Sequence, residues 1–288
     1  MAASVTDLRV GVVGLGRMGS ALLARMAAQG IEVCGWNRTA RYDMAATVHG
    51  DLADLVAASD IIVLSLFDDA AVGGVVGRLC EHDLTGKLLV DTSTARPETL
   101  RGLQVAINRA GAAALDAPIA GGPEMVLGGK IGLYIGGASD DVARFSPVAD
   151  AVAARVLHVG DLGAGATAKI FNNMMLCGYW QVLKEAMLTG RAGGLSYAQM
   201  LDILSGSPAA SGAFKGRIPV LLGEESTVGF SLDGLVKDAE LFADVAQSMS
   251  IEISALRAGL DSFRQVSAQG FGDADLAVMV RVALGEEA

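Results

Sequence analysis

Three groups of residues in this 288-residue chain have types and spacing suited to chemistry. The first is Gly14-Leu15-Gly16-Arg17-Met18-Gly19, a G-x-G-x-x-G run that follows an apolar segment at 9–13 and opens a helical pattern at 20–29. In that context each glycine has its own task. Gly14 permits a tight turn, Gly16 lets a pyrophosphate approach the backbone, and Gly19 lets helix and strand pack closely. The free N–H groups of the helix start then face the phosphates, and the helix dipole favours their charge. The second group, Asn37-Arg38-Thr39, ends the next strand pattern. A site for NAD places an Asp or Glu there, against the ribose hydroxyls. Here Arg38 offers a planar fork of donors that suits a 2′-phosphate, and Thr39 adds a hydroxyl, which favours NADP. A solvated arginine on a loop fits the same residue, and Arg41 fits either an assisting or a surface position.

The third group is Lys169, Asn172 and Asn173, in a strongly apolar helical pattern entered through Gly163 and Gly165. Lys169 and Asn173 are four apart and share one helix face. Buried without partners, the two asparagines would cost about 1–3 kcal/mol each, so they must bond to backbone, to neighbours or to a ligand. On its own, Lys169 reads either as a buried acid/base group or as a surface lysine whose stem lies along the helix. A free lysine titrates near ~10.4. To act as a base near neutrality it needs desolvation or a nearby positive charge.

These residues need a scaffold. Strand patterns occur at 9–13, 32–36, 61–66, 88–91, 113–117, 131–135 and 155–159, with helical patterns such as 20–29 and 96–110 between them. Such alternation implies a mostly parallel sheet covered on both faces. Beyond residue 161 the strand signals stop, and helical patterns follow at 164–190, 197–205, 232–249 and 255–269. The chain therefore changes class near 160–165. The expected architecture is a dinucleotide-binding α/β domain at 1–161 and an all-α domain at 162–288, with a loose C-terminus.

Composition narrows the function classes. The formal net charge of −10 opposes nucleic-acid binding, which depends on basic patches. Although 52% of the residues are hydrophobic, no uninterrupted apolar run reaches the ~20 residues of a membrane span. The nearest, 170–183, contains Asn172, Asn173 and Gln181. The hydrophobicity is better assigned to a large core and a buried subunit interface. Asp7 and Arg9 precede a short, glycine-punctuated first run, which does not read as a secretory leader. Cys34, Cys80 and Cys177, like His49, His82 and His158, are scattered without metal-ligand spacing, so no metal site is expected. Three reduced thiols fit the cytoplasm.

Four stretches in order, "GLGRMG", "DAPIAGG" at 116–122 completed by "GGKIGLYIGG" at 128–137, "GAGATAKIFNN" at 163–173, and "FSLDGLVKD" at 230–238, resemble the β-hydroxyacid dehydrogenase family. That family includes 3-hydroxyisobutyrate dehydrogenase and tartronate semialdehyde reductase and is related to 6-phosphogluconate dehydrogenase. The resemblance spans essentially the whole chain. It implies a Rossmann-type NAD(P)-binding domain followed by an all-α domain that completes the site and makes a homodimer or homotetramer. It implies an oxidoreductase in which Lys169 is the general acid/base. That lysine takes the alcohol proton while hydride leaves the same carbon for the nicotinamide. Asn173 then holds the substrate and orients the lysine. Lys237 lies near cofactor and substrate, with Asp238 as its anchor, and Phe230 packs near the cofactor. Ser93 and Thr94 match the loop near the nicotinamide end. Leu66 and Phe67 match the loop near the adenosine, where family members often carry proline in place of Phe67.

Departures from the family pattern bear on the substrate. Ala120-Gly121-Gly122 stands where the family reads Ser-Gly-Gly, so a hydroxyl that helps bind the substrate carboxylate is missing and two glycine N–H groups remain. Met125 replaces a common glycine, after Pro123 and Glu124. A short hydroxyacid or semialdehyde is the expected substrate. The alternatives are an imine or non-carboxylate carbonyl, motivated by Ala120, and a non-catalytic NADP-binding sensor or scaffold, opposed by the intact Lys169–Asn173 pair. Imine reductases resemble the same family but carry Asp or Tyr where Lys169 stands. A short-chain dehydrogenase needs Tyr-x-x-x-Lys, whereas Tyr179 and Lys184 are five apart.

Overall fold

The computed structural model describes residues 8–44, 46–224 and 227–286. Asp7, the rest of the first seven residues and the last two lie outside them, as does the very end of the expected loose C-terminus. The chain divides into two compact units, Met1–Ile170 and Phe171–Ala288.

In the first unit, strands and helices alternate: β1 (Arg9–Val13), α1 (Arg17–Ala28), β2 (Glu32–Trp36), β3 (Thr47–His49), α2 (Leu52–Ala58), β4 (Ile61–Leu64), α3 (Asp69–Leu79), β5 (Leu88–Asp91), α4 (Pro97–Arg109), β6 (Ala113–Asp116), β7 (Ile119–Ala120), α5 (Pro123–Leu127), β8 (Ile131–Gly136), α6 (Ser139–Val152) and β9 (Ala153–Gly160). The strand order is β3-β2-β1-β4-β5-β6-β8-β7, with β9 beside β8. Strands β1 to β6 pair in parallel, and β8 runs antiparallel to β6 and β7. The six parallel strands have the order of a doubly wound Rossmann sheet, whose ligand crevice lies where the order reverses, beside β1.

Both faces of this sheet are buried, and the strands alternate between two cores. Val10 and Val12 of β1 and Ile61 and Val63 of β4 join Leu22, Leu23 and Met26 of α1 and Phe145 and Val148 of α6. Val13, Ile62 and Leu64 join Leu52 and Leu55 of α2, Val72 and Val76 of α3, and Leu100 and Ile107 of α4. A strand covered on two sides must be apolar throughout, which is why "VGVV" and "IIVL" read as continuous runs.

Several element ends differ from the sequence pattern by one to three residues, and two short strands are absent from it. The strand expected over 61–66 ends at Leu64, because the Leu66 N–H leaves the ladder for the Ser93 hydroxyl at 2.9 Å. The strands β3 and β7, three and two residues long, carry no pattern of their own.

The second unit is helical. Helix α7 (Ala164–Ala192) contains the unit boundary and is followed by α8 (Tyr197–Ser205), α9 (Gly212–Lys215), α10 (Ile218–Leu222), α11 (Leu232–Ser248), α12 (Ser254–Val266) and α13 (Val278–Leu284). Local signals set these ends. Ser196 and Gln199 form a reciprocal capping box on α8, and Ser231 caps α11 through the Gly234 N–H at 3.2 Å. The pattern read over 255–269 stops as an α-helix at Val266 and continues as a π turn over Ser267–Phe271, broken where Gly270 takes φ +98°.

Candidate active site

The glycine run leaves β1 at the edge expected of it. Gly14 has φ +93°, and any Cβ there would press on the Ser65 carbonyl. A Cβ on Gly19 would overlap the Gly14 carbonyl oxygen, so only glycine lets α1 cross the turn this closely. Gly16 is exposed and has open space around it. It is the N-cap of α1, it has no side chain with which to cap the helix, and the first turn of the helix contains no acidic residue. The result is a set of backbone N–H donors at a positive helix end, open on one side, which suits a pyrophosphate. Arg17 is exposed and Met18 half-buried.

Asn37 is drawn into the same turn. Its Oδ1 accepts the Leu15 N–H at 2.9 Å and its Nδ2 donates to the Thr39 carbonyl at 2.8 Å. This residue therefore braces the glycine turn against the end of β2. Arg38, Thr39 and Arg41 are exposed just beyond it. The Arg78 guanidinium stacks 5.2 Å from the centre of the buried Trp36 ring at the strand end.

The loops after β4 and β5 are tied together by Ser93, whose hydroxyl accepts the Leu66 N–H. The Ser93 N–H in turn donates to Asp91 Oδ1 at 2.9 Å. Thr94 is half-buried and Phe67 is 66% exposed. Burial pushes the Asp91 carboxyl up to about 6; the Ser93 hydrogen bond opposes this, and the neighbouring Asp116 and Asp69 reinforce it.

Lys169 lies on the first part of α7 and is only 8% exposed. Its Nζ donates to the Ile119 carbonyl at 2.6 Å. The surface reading of this lysine is therefore excluded: its amino group is inside, beside the segment 116–122. In that segment Ala120 ends β7, Gly121 is exposed with φ +148°, and Gly122 precedes α5. Glu124 and Met125 are exposed.

In the helical unit, Asn173 is 5% exposed and its Oδ1 accepts from Asn172 Nδ2 at 3.1 Å. Lys237 pairs with the buried Asp238 at 2.8 Å on α11. Phe230 is half-buried at the entry to α11. Asp275 holds that entry: its Oδ2 accepts the Gly229 and Phe230 N–H groups at 3.1 Å, and its Oδ1 pairs with Arg217 at 2.7 Å.

Asp91 and Asp116 in the first unit, and Asp275 in the helical unit, are buried carboxylates that each accept backbone N–H groups, and the sequence pattern gives none of them a role. For Asp91 and Asp116 the one signal is an acidic residue closing an otherwise apolar strand, which costs too much to bury without donors, whereas Asp275 opens the apolar run 276–280. Among the described residues no group of three or more His, Cys, Asp or Glu side chains is arranged to hold a metal ion. No disulfide joins Cys34, Cys80 and Cys177, and burial raises the first two above the usual thiol range.

Known proteins are similar to this chain in sequence and in fold. Residues 9–160 match the family model of the NAD binding domain of 6-phosphogluconate dehydrogenase. Residues 163–283 match the model described as the NAD-binding region of NADP-dependent 3-hydroxyisobutyrate dehydrogenase. The chain is 27% identical to 2-(hydroxymethyl)glutarate dehydrogenase of Eubacterium barkeri, over 96% of this chain and 95% of that protein. It is 25% identical to glyoxylate/succinic semialdehyde reductase 1 of Arabidopsis thaliana, over 95% and 97%. Among solved structures, 3-hydroxyisobutyrate dehydrogenase from Salmonella typhimurium superimposes with a TM-score of 0.83 at 25% identity, covering 96% of this chain and all of that one.

Proposed function

Because the chain belongs to the β-hydroxyacid dehydrogenase family, we propose that it interconverts a β-hydroxyacid and its semialdehyde or keto form, with NADPH preferred over NADH. The chain is an NAD(P)-dependent dehydrogenase/reductase of that family, and the observation that carries the finer reading is Lys169. Its amino group is buried and lies 2.6 Å from the Ile119 carbonyl, in the segment matching the family's substrate-holding motif. When bound, the nicotinamide accepts or supplies the hydride at the carbinol carbon. In oxidation the Lys169 amine takes the hydroxyl proton as the C–O bond becomes a carbonyl. In reduction the ammonium returns that proton to the oxygen.

The remaining assignments follow the same reading. Gly14, Leu15, Gly16, Arg17, Met18 and Gly19 hold the pyrophosphate. Asn37 braces that turn, and Arg38 and Thr39 take the 2′-phosphate. Leu66 and Phe67 lie toward the adenosine, and Ser93 and Thr94 toward the nicotinamide. Ala120, Gly121, Gly122, Asn173 and Lys237 contact the substrate, with Lys237 and Phe230 also near the cofactor. The nucleotide-binding domain is 1–161 and the helical domain 162–288. The enzyme works in the cytoplasm as a homodimer or homotetramer.

The test is a turnover screen of NADPH oxidation with succinic, tartronate and methylmalonate semialdehydes, simple aldehydes and cyclic imines. Carboxylate-bearing semialdehydes are expected to turn over, and Lys169→Ala is expected to abolish turnover while NADPH binding persists. Retained turnover in that variant overturns the role of Lys169. A second reading, reduction of an imine or a carbonyl without a carboxylate, is favoured by Ala120, whose side chain offers no hydroxyl. Turnover of those compounds alone would establish it.

A further inference from the structure

Helix α7 carries the proton-transfer lysine, yet it cannot cap itself. The residue before its first turn is Gly163, which has no side chain and takes φ +90°. A Cβ there would also press on Arg101 and on the Pro97 carbonyl. The first N–H groups of a helix need acceptors, and here they are met from outside the helix. Asp116, at the end of β6, is 4% exposed. Its Oδ1 accepts the Gly163 N–H and its Oδ2 the Ala166 N–H, both at 2.6 Å.

The surrounding structure leaves this carboxylate no freedom. A Cβ on Gly165 would lie 2.9 Å from Asp116 Oδ2 and 2.7 Å from the Asp116 carbonyl. A Cβ on Gly136, the register partner of Asp116 on β8, would collide with Oδ1. Lys169 follows Ala166 by less than one helical turn, and its Nζ reaches the Ile119 carbonyl, three residues beyond Asp116. The segment 116–122 therefore grips α7 twice, once through backbone N–H groups and once through the lysine itself.

We propose that Asp116 is a positioning residue for the proton-transfer lysine: by capping α7 from the neighbouring strand, it sets where the Lys169 amino group stands against residues 119–122. The proposal rests on the acid/base reading of Lys169. Asn at 116 keeps one acceptor but turns an NH₂ group toward the second backbone N–H, so it loosens the cap without emptying the space.

The experiment compares Asp116→Asn, Lys169→Ala and the double variant, using the semialdehyde that the wild type turns over best. Asp116→Asn is expected to lower kcat by about 10- to 100-fold, the range that a misplacement of about 1 Å in a reacting group produces. The KM for NADPH is expected to stay within about twofold, since the glycine turn is untouched. The double variant is expected to be no slower than Lys169→Ala, because Asp116 acts through the lysine. A merely structural role would instead reduce the residual rate of Lys169→Ala by the same factor as in the wild type, and that additivity overturns the proposal. An unchanged kcat in Asp116→Asn overturns it too. Full activity in Lys169→Ala would overturn the reading beneath it. If Asp116→Asn does not fold, Asp116→Ser, a smaller group that keeps one acceptor oxygen, is measured the same way with the same outcomes.

Discussion

Arg38 carries the choice between the two dinucleotides in the proposed site, because it is exposed at the end of β2 while Asn37 beside it is committed to the glycine turn. Arg38→Ala is expected to weaken NADP binding about 10- to 100-fold, as losing the ~1.5–3 kcal/mol of a hydrogen bond to a charged group implies. NAD binding should hardly change. Equal losses for the two nucleotides, read by fluorescence titration, would remove the 2′-phosphate assignment. Asp91 carries a different prediction. Burial holds its carboxyl near 6 rather than 3.8, so the folded chain keeps a proton that the unfolded chain releases. The stability tied to that proton is complete below about pH 4 and is lost as pH rises through about 6, by a total of about 3 kcal/mol. Asp91→Asn keeps an acceptor for the Ser93 N–H without the charge. Its Tm relative to the wild type should therefore rise between pH 4.5 and pH 7.5, and a constant difference would refute the account. The glycine run was legible because its spacing is diagnostic between a strand and a helix, whereas Lys169 alone left a buried and a surface reading open until its 8% exposure decided between them. Asp91 and Asp116 were not, because they accept backbone N–H groups, which have no identity in a sequence, and Asp275 was not, because its ion-pair partner Arg217 is far from it in sequence.

Among the elements, the long parallel strands were visible as unbroken β-branched runs. The strands β3 and β7 were not, since two or three residues cannot show a period. Leu66 completed an apolar run by type, but its N–H had a better partner in Ser93. Helix α7 shows what pattern reading left unresolved. By type its apolar residues fit core and interface alike, and the structure separates them. Cys177 and Trp180 are buried, whereas Phe171, Met175 and Val182 are 73%, 69% and 63% exposed. The last three recur at helical spacing, so they form one stripe on the outside of α7. An exposed row of large apolar side chains is expected where a second copy docks, and this is where the proposed dimer would be sealed. Met175→Asp is expected to shift the molecule toward the monomer in size-exclusion chromatography. It should also abolish any rise of Tm with protein concentration, which mass action requires of a folded dimer. An unchanged size would place the subunit contact elsewhere.

At the scale of the whole molecule, the change from alternating strands and helices to helices alone was readable near residues 160–165. The boundary between the two compact units falls later, at Ile170/Phe171 inside α7, because a continuous helix gives no sequence sign of where one unit ends and the next begins. No helix among the described residues is long and apolar enough to cross a membrane. The hydrophobic half of the composition is spent instead on a sheet buried on both faces and on the cores of the helices. One feature of that sheet has a calorimetric consequence. Asp91 and Asp116 are register partners at the buried ends of β5 and β6, and the proton that their neighbourhood holds on Asp91 must be taken from solution when the chain folds near pH 5. The heat of unfolding measured there then includes the heat of the buffer taking that proton up. In acetate and in a buffer with a large ionisation enthalpy, the same protein at the same pH should give unfolding enthalpies that differ in proportion to that heat, and Asp91→Asn should narrow the gap.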